Sequence, residues 1–122
     1  MAKINLQPPT LDLSLYAGDG ISFRLICTDD DNQPVDVSGE VKAQIKQARG
    51  TGESSLADFT ADMDDASGGI IALSLTGEQT QDLITDSSGK FTGVWDVQWT
   101  KTGEEARTLC QGKVECYADV TQ

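Results

Sequence analysis

Between Thr28 and Glu40 the chain reads TDDDNQPVDVSGE, a cluster of carboxylates of the kind that can hold a hard cation such as calcium. Counted from Asp29, residues Asp29, Asp31 and Gln33 fall at loop positions one, three and five, and Glu40 falls at twelve, which imitates the ligand frame of an EF-hand. Position six of that frame requires a glycine for its sharp turn, and here it is Pro34, whose ring fixes φ and cannot supply the geometry. The flanks also alternate as strands, whereas an EF-hand needs helices. The cation frame therefore fails, and the segment reads as a hairpin connection. Asp and Asn bond their own backbone in tight turns, and Pro34 suits a loop or strand entry. A weak surface ion site near Asp29–Asp31, in another geometry, is the alternative.

Few other positions can do chemistry. The sequence has no histidine, so Cys–His catalysis is excluded and a zinc site would lack its usual nitrogen ligands. Cys27, Cys110 and Cys116 form no CxxC pair and read as reduced core or near-core residues, with one disulfide among them as the alternative. No metal or other cofactor is expected. Paired carboxylates for glycosidase-type work need a fixed separation beside a cleft, and none of the acids stands in such a context. Asp96, between Trp95 and Val97, reads as a solvated strand residue. GxSxG, P-loop and GxGxxG motifs are absent. The expectation is a protein that is not an enzyme. Trp95 and Trp99 share a face with Phe91, which could stack on a sugar; with Val97 between them the spacing reads instead as the core of a sandwich. Tyr16 and Tyr117 are candidates for a protein interface.

Twenty acids against nine bases give a net charge of −11 over 122 residues. That balance opposes sequence-independent nucleic-acid binding, which depends on Lys and Arg at phosphates. It keeps free copies apart, or complements a basic partner. No apolar run approaches the roughly 18 residues of a membrane span, and MAKINLQPPT has no apolar core of a signal peptide. The expectation is synthesis and folding in a cytoplasm, with no membrane partner.

The elements that must position these residues are strands. Leu11, Leu13 and Leu15 alternate with polar residues, as do Ile21, Phe23, Leu25 and Cys27 after the turn at Ala17–Gly20. Val41, Ala43 and Ile45 alternate with Lys42, Gln44 and Lys46. Leu56 to Met63 alternates imperfectly, which suggests an edge strand or a bulge. Ile71, Leu73 and Leu75 form the next strand. Thr76 and Gln79 then have the spacing of a capping box, which predicts one short helical turn. The longest clean alternation is Phe91, Gly93, Trp95, Val97 and Trp99. A hairpin loop at Lys101–Glu105 follows, and the last strand carries a Gly112 expected to kink or bulge it. Seven or eight short strands with regular turn signals predict an all-β fold, an immunoglobulin-like antiparallel sandwich over residues 10–122, with a small barrel as the alternative. Residues 1–9, with Pro8-Pro9, read as an extended arm bearing the apolar Ile4 and Leu6.

Taken in order, LYAGDGISFRLICTDDDNQPVDVSGEVKAQIK, GGIIALSLTGEQTQDL, GKFTGVWDVQWT and LCQGKVECYADVTQ make a pattern over most of residues 11–122. It resembles the small immunoglobulin-like domains of tailed-bacteriophage tail and baseplate proteins, including the N-terminal domain of baseplate upper proteins. That resemblance implies a virion protein without catalytic residues, a tail-tip or baseplate subunit. Its partners would be other phage tail proteins and copies of itself in a symmetric ring, joined through the candidate contact residues Ile4, Leu6, Tyr16 and Tyr117. The alternatives are a capsid decoration or head–tail connector protein, a carbohydrate- or receptor-binding module and a small hydrolase.

Overall fold

Period-two alternation builds this molecule. In the computed structural model, which describes residues 9–29, 31–48, 54–85 and 87–118, the side chains of Phe91, Trp95, Val97 and Trp99 are all buried from one face of a single strand. The strands are β1 (Leu13–Tyr16), β2 (Ile21–Ile26), β3 (Glu40–Lys46), β4 (Ser55–Asp58), β5 (Thr60–Asp65), β6 (Ile70–Leu75), β7 (Lys90–Thr100) and β8 (Arg107–Tyr117). A 3-10 turn at Ala66–Gly68 joins β5 to β6, and a short helix, α1 (Gly77–Gln81), follows β6.

The strands form two sheets, ordered β1-β8-β7-β3-β4 and β2-β6-β5. Lettered as in immunoglobulin domains, these are the A′GFCC′ and BED sheets, so the fold is an immunoglobulin-like β-sandwich and not a closed barrel. All pairings are antiparallel except one: β1 runs parallel to β8, with Leu13 opposite Val114 and Tyr16 opposite Tyr117. The core lies between the sheets, where Phe23, Phe59 and Trp95 meet with ring centroids 5.6–6.0 Å apart around Ile45, Ile71, Leu73, Val97 and Val114.

The imperfect alternation of Leu56–Met63 is matched by two edge strands, β4 and β5, each with a register shift against its neighbour. The two belong to different sheets, and Phe59 between them donates its N–H to the Ala43 carbonyl at 2.9 Å. Two other local expectations change. Gly112 does not bulge β8. The register with β7 shifts instead where Val97 faces Cys110 and Gln98 faces Thr108, which leaves Leu109 as the extra residue. Gly112 serves a close backbone approach, because a Cβ there would lie 1.9 Å from the Leu11 carbonyl oxygen.

The aspartate segment also differs from a simple hairpin between neighbouring strands, since β2 and β3 lie in different sheets. Its tip is a small turn of its own, closed by a bridge between Thr28 and Pro34. Asp29 Oδ1 accepts from the N–H groups of Asp31 and Gln33 at 2.9 and 3.0 Å, and Asn32 takes the left-handed conformation with φ 59°. Pro34 to Gly39 then crosses the end of the sandwich. Val37 is fully buried there, its N–H donating to the Ala66 carbonyl, and the Trp99 indole donates to the Ser38 carbonyl at 3.0 Å. Asp30 lies outside the described residues.

Candidate interaction surface

Of the four residues expected at an interface, the structure brings two together. Tyr16 ends β1 and Tyr117 ends β8, and the parallel register sets them directly opposite each other. Leu15 and Cys116 beside them point into the core, so both tyrosines project from the outer face. Their ring centroids are 6.2 Å apart at an interplanar angle of 43°, a tilted pair on which Tyr16 remains 56% exposed. Ile4 and Leu6 lie outside the described residues.

Two residues that sequence reasoning missed complete this patch. Glu115, two positions before Tyr117 on the same face, accepts the phenolic O–H of Tyr117 at 2.5 Å. Lys90, opposite Tyr117 in the β7–β8 register, holds its Nζ 5.5 Å from the centre of that ring. The hydrogen bond to Glu115 is the main cause that raises the Tyr117 phenol above its ordinary 10.0, because the bond exists only while the phenol keeps its proton. The i, i+2 spacing of Glu115 and Tyr117 was visible in the sequence, but Lys90 enters only through strand pairing.

The position of Tyr16 is fixed from below by Thr80. This side chain is fully buried, accepts from the Gly18 N–H at 3.1 Å and lies 2.9 and 3.0 Å from the carbonyls of Asp19 and Gly77. It thereby ties α1 to the turn that follows Tyr16, in which the Asp19 N–H donates back to the Tyr16 carbonyl. The helix is held at this spot by its capping box. Thr76 Oγ1 accepts from the Gln79 N–H, and the Gln79 side chain accepts from the Thr76 N–H at 2.9 Å. Gly77 allows the approach, since a Cβ there would meet the Gly18 carbonyl oxygen at 2.4 Å.

The other sequence candidates are placed as follows. Trp95 and Trp99 are 2% and 8% exposed, so neither offers a face for stacking on a sugar. Cys110 and Cys116 are buried and Cys27 is half-buried, all three as free thiols. Burial first, then the neighbouring Cys27 and Asp96, push the Cys110 thiol up from 9.0 to about 11. Among the described residues, no group of three or more Cys, Asp and Glu side chains could hold a metal ion. No described helix is long and apolar enough to cross a membrane. Large apolar side chains are left open at Leu11, Tyr16, Ile26 and Leu56.

No protein-family model and no curated protein matches this chain. Among solved structures the chain is similar to the crystal structure of the ZIG-8 IG1 homodimer, at 10% sequence identity and a TM-score of 0.45, over 97% of this chain and 88% of that one. The immunoglobulin-like assignment rests on the strand order given above.

Proposed function

We propose that this chain is a structural, non-enzymatic subunit of a tailed-bacteriophage virion, placed at the tail tip or baseplate and assembled through protein–protein contacts. The observation that supports this reading best is the outer-face patch of Tyr16, Tyr117, Lys90 and Glu115. It is a partly exposed aromatic pair, the residue type enriched at protein interfaces, with one base and one acid at its polar rim. The resemblance of the motif order to phage tail and baseplate domains supplies the address. The strong negative charge fits a subunit that stays dispersed until it meets its site in the particle. In this reading the chain is made in the host bacterial cytoplasm and ends in the virion. Its partners are other tail proteins and further copies of itself, with contacts spread over the tyrosine patch, the strand edges and residues 1–9.

Deletion of residues 1–9 and the double change Tyr16→Ser/Lys90→Glu test the reading separately. Each variant is expected to fold, as judged by its circular dichroism, and to be lost from purified particles. Normal incorporation of both would overturn the proposed mode of assembly. The reading as a capsid decoration or connector protein differs only in address, and imaging of particles with a tag on this chain separates the two.

A further inference from the structure

The outer face of the five-stranded sheet differs in charge from the rest of the molecule. Strand alternation turns Lys42, Lys46, Lys90 and Lys113 outward there, four of the nine bases in the chain. Glu40, Asp58, Asp96 and Glu115 face the same way, so the face is neutral and the whole net charge of −11 lies elsewhere. On the outer face of the β2-β6-β5 sheet Arg24 is the one base among the described residues. A second copy of so acidic a chain meets like charge over most of its surface, and the five-stranded face is the broad area free of that cost.

The charges on this face fall in rows set by the strand registers. One row runs Lys46, Val94, Lys113 across β3, β7 and β8. The next runs Gln44, Asp96, Gln111, and Asp58 of β4 continues it beyond Gln44. The two rows are about 7 Å apart. Lys42 is paired with Glu40 at 3.6 Å, Lys90 lies over the Tyr117 ring, and Asp58 accepts from the Gln44 side chain at 3.0 Å. Among the described residues the side chains of Lys46, Lys113 and Asp96 make no hydrogen bond or ion pair, and Asp96 stands half-buried in the middle of the sheet. A row of free bases next to a row with a free acid is complementary to a copy of itself turned by 180°.

We infer that two copies pair through this face, about a two-fold axis that lies across the strands between the two rows. The Lys46–Val94–Lys113 row of each copy then covers the Gln44–Asp96–Gln111 row of the other, and each Asp96 falls between Lys46 and Lys113 of the other copy. Opposite charges placed in this way fix the register of a contact as well as adding to its strength. The tyrosine patch is on the same face and lies at one end of the contact. The five strands project roughly 600 Å², and the accessible surface of their side chains exceeds that projection. Such a face matches the ~800 Å² that each partner gives to a standard interface. One surface serves both copies, so the contact is isologous and closes at two. This deepens the reading of the chain as a virion subunit that meets copies of itself, and it rests on that reading.

The test is sedimentation equilibrium of the full chain from micromolar to millimolar concentration, with two variants whose folding is checked by circular dichroism. The wild type is expected to pass from monomer to dimer within that range. Asp96→Lys sets a base against the basic row, and Lys46→Glu/Lys113→Glu sets acids against Asp96, so each alone should dimerise at least tenfold more weakly. An equimolar mixture of the two should associate at least tenfold more tightly than either alone, because every Asp96-row contact then regains an opposite charge. Both variants remain strongly acidic, so mixing them brings no general attraction. A wild type that stays monomeric throughout, variants that dimerise as it does, or a mixture no tighter than its parts would each overturn the inference. A monomeric wild type that is nonetheless found in purified particles removes this inference and leaves the virion reading standing. A dimer formed by a chain that never enters particles does the reverse.

Discussion

The indole N–H of Trp95, at the centre of the core, donates to the backbone carbonyl of Leu11 at 2.7 Å, across 84 positions of sequence. The carbonyl faces inward at a point where the Asp12 carboxylate takes over its strand's hydrogen bonding, accepting from the Lys113 N–H at 2.9 Å. Gly112 leaves room for both. The first described residues of the chain are thus anchored to the deepest aromatic residue of the sandwich.

Gly112→Ala should therefore destabilise the domain by about 1–3 kcal/mol, because the added methyl meets backbone and not a movable side chain. Trp95→Phe removes the donor and leaves the Leu11 carbonyl unpaired, at a cost of about 1–3 kcal/mol besides the lost volume. Urea denaturation curves with unchanged slope and shifted midpoint would measure both. In the wild type, acrylamide should quench tryptophan fluorescence weakly until the protein unfolds.

Thr80→Val keeps the shape of the side chain but removes its hydroxyl from a fully buried site, leaving the Gly18 N–H without its acceptor. The expected loss is about 1–3 kcal/mol. Because Thr80 holds the turn after Tyr16, exchange of the Gly18 and Asp19 amides should quicken more than exchange within β7, which nuclear magnetic resonance can read residue by residue.

Tyr117 should ionise above the ordinary phenol value, in a Tyr16→Phe background where it is the sole tyrosine absorbing in the alkaline difference spectrum. Glu115→Gln should lower that midpoint toward 10, since it removes the carboxylate that accepts the phenolic proton. A midpoint unmoved by the substitution would show that the Tyr117–Glu115 bond does not persist in solution.

Burial that raises the Cys110 thiol to about 11 makes stability depend on pH in a definite direction. The folded state favours the protonated thiol, so this contribution is complete below the unfolded value near 9 and is lost as pH rises toward about 11. Denaturation midpoints should therefore fall between pH 9 and 11, and Cys110→Ser should flatten that part of the profile. At pH 8, Cys110 and Cys116 should resist a thiol reagent in the folded protein, with all three cysteines reacting in denaturant.

Much of the fold was legible because its signals are local. The alternation of Phe91 through Trp99 marked a buried strand face, and Thr76 with Gln79 marked the helix start; both stand in the structure. What could not be read were events set by pairing between distant segments. The switch of sheets at Phe59, the bulge at Leu109 and the carbonyl above Gly112 all depend on a partner elsewhere in the chain, from the facing strand of a hairpin to the other end of the domain. The site was half legible for the same reason. Tyr16 and Tyr117 stand out by type, but their contact needs the parallel β1–β8 register, and Lys90 reaches them only across the β7–β8 hairpin. Ile26 was visible as an apolar residue on the polar face of its strand, and the structure leaves it open on the outer face with Ser22 and Arg24.

The proposed role as a virion subunit is tested most directly by quantitative mass spectrometry of density-purified phage particles from the cells that produce this chain. The expected result is a fixed number of copies per particle, unchanged through further purification and in constant ratio to the tail proteins. Recovery of the chain only in the soluble fraction, with none in the particles, would contradict it.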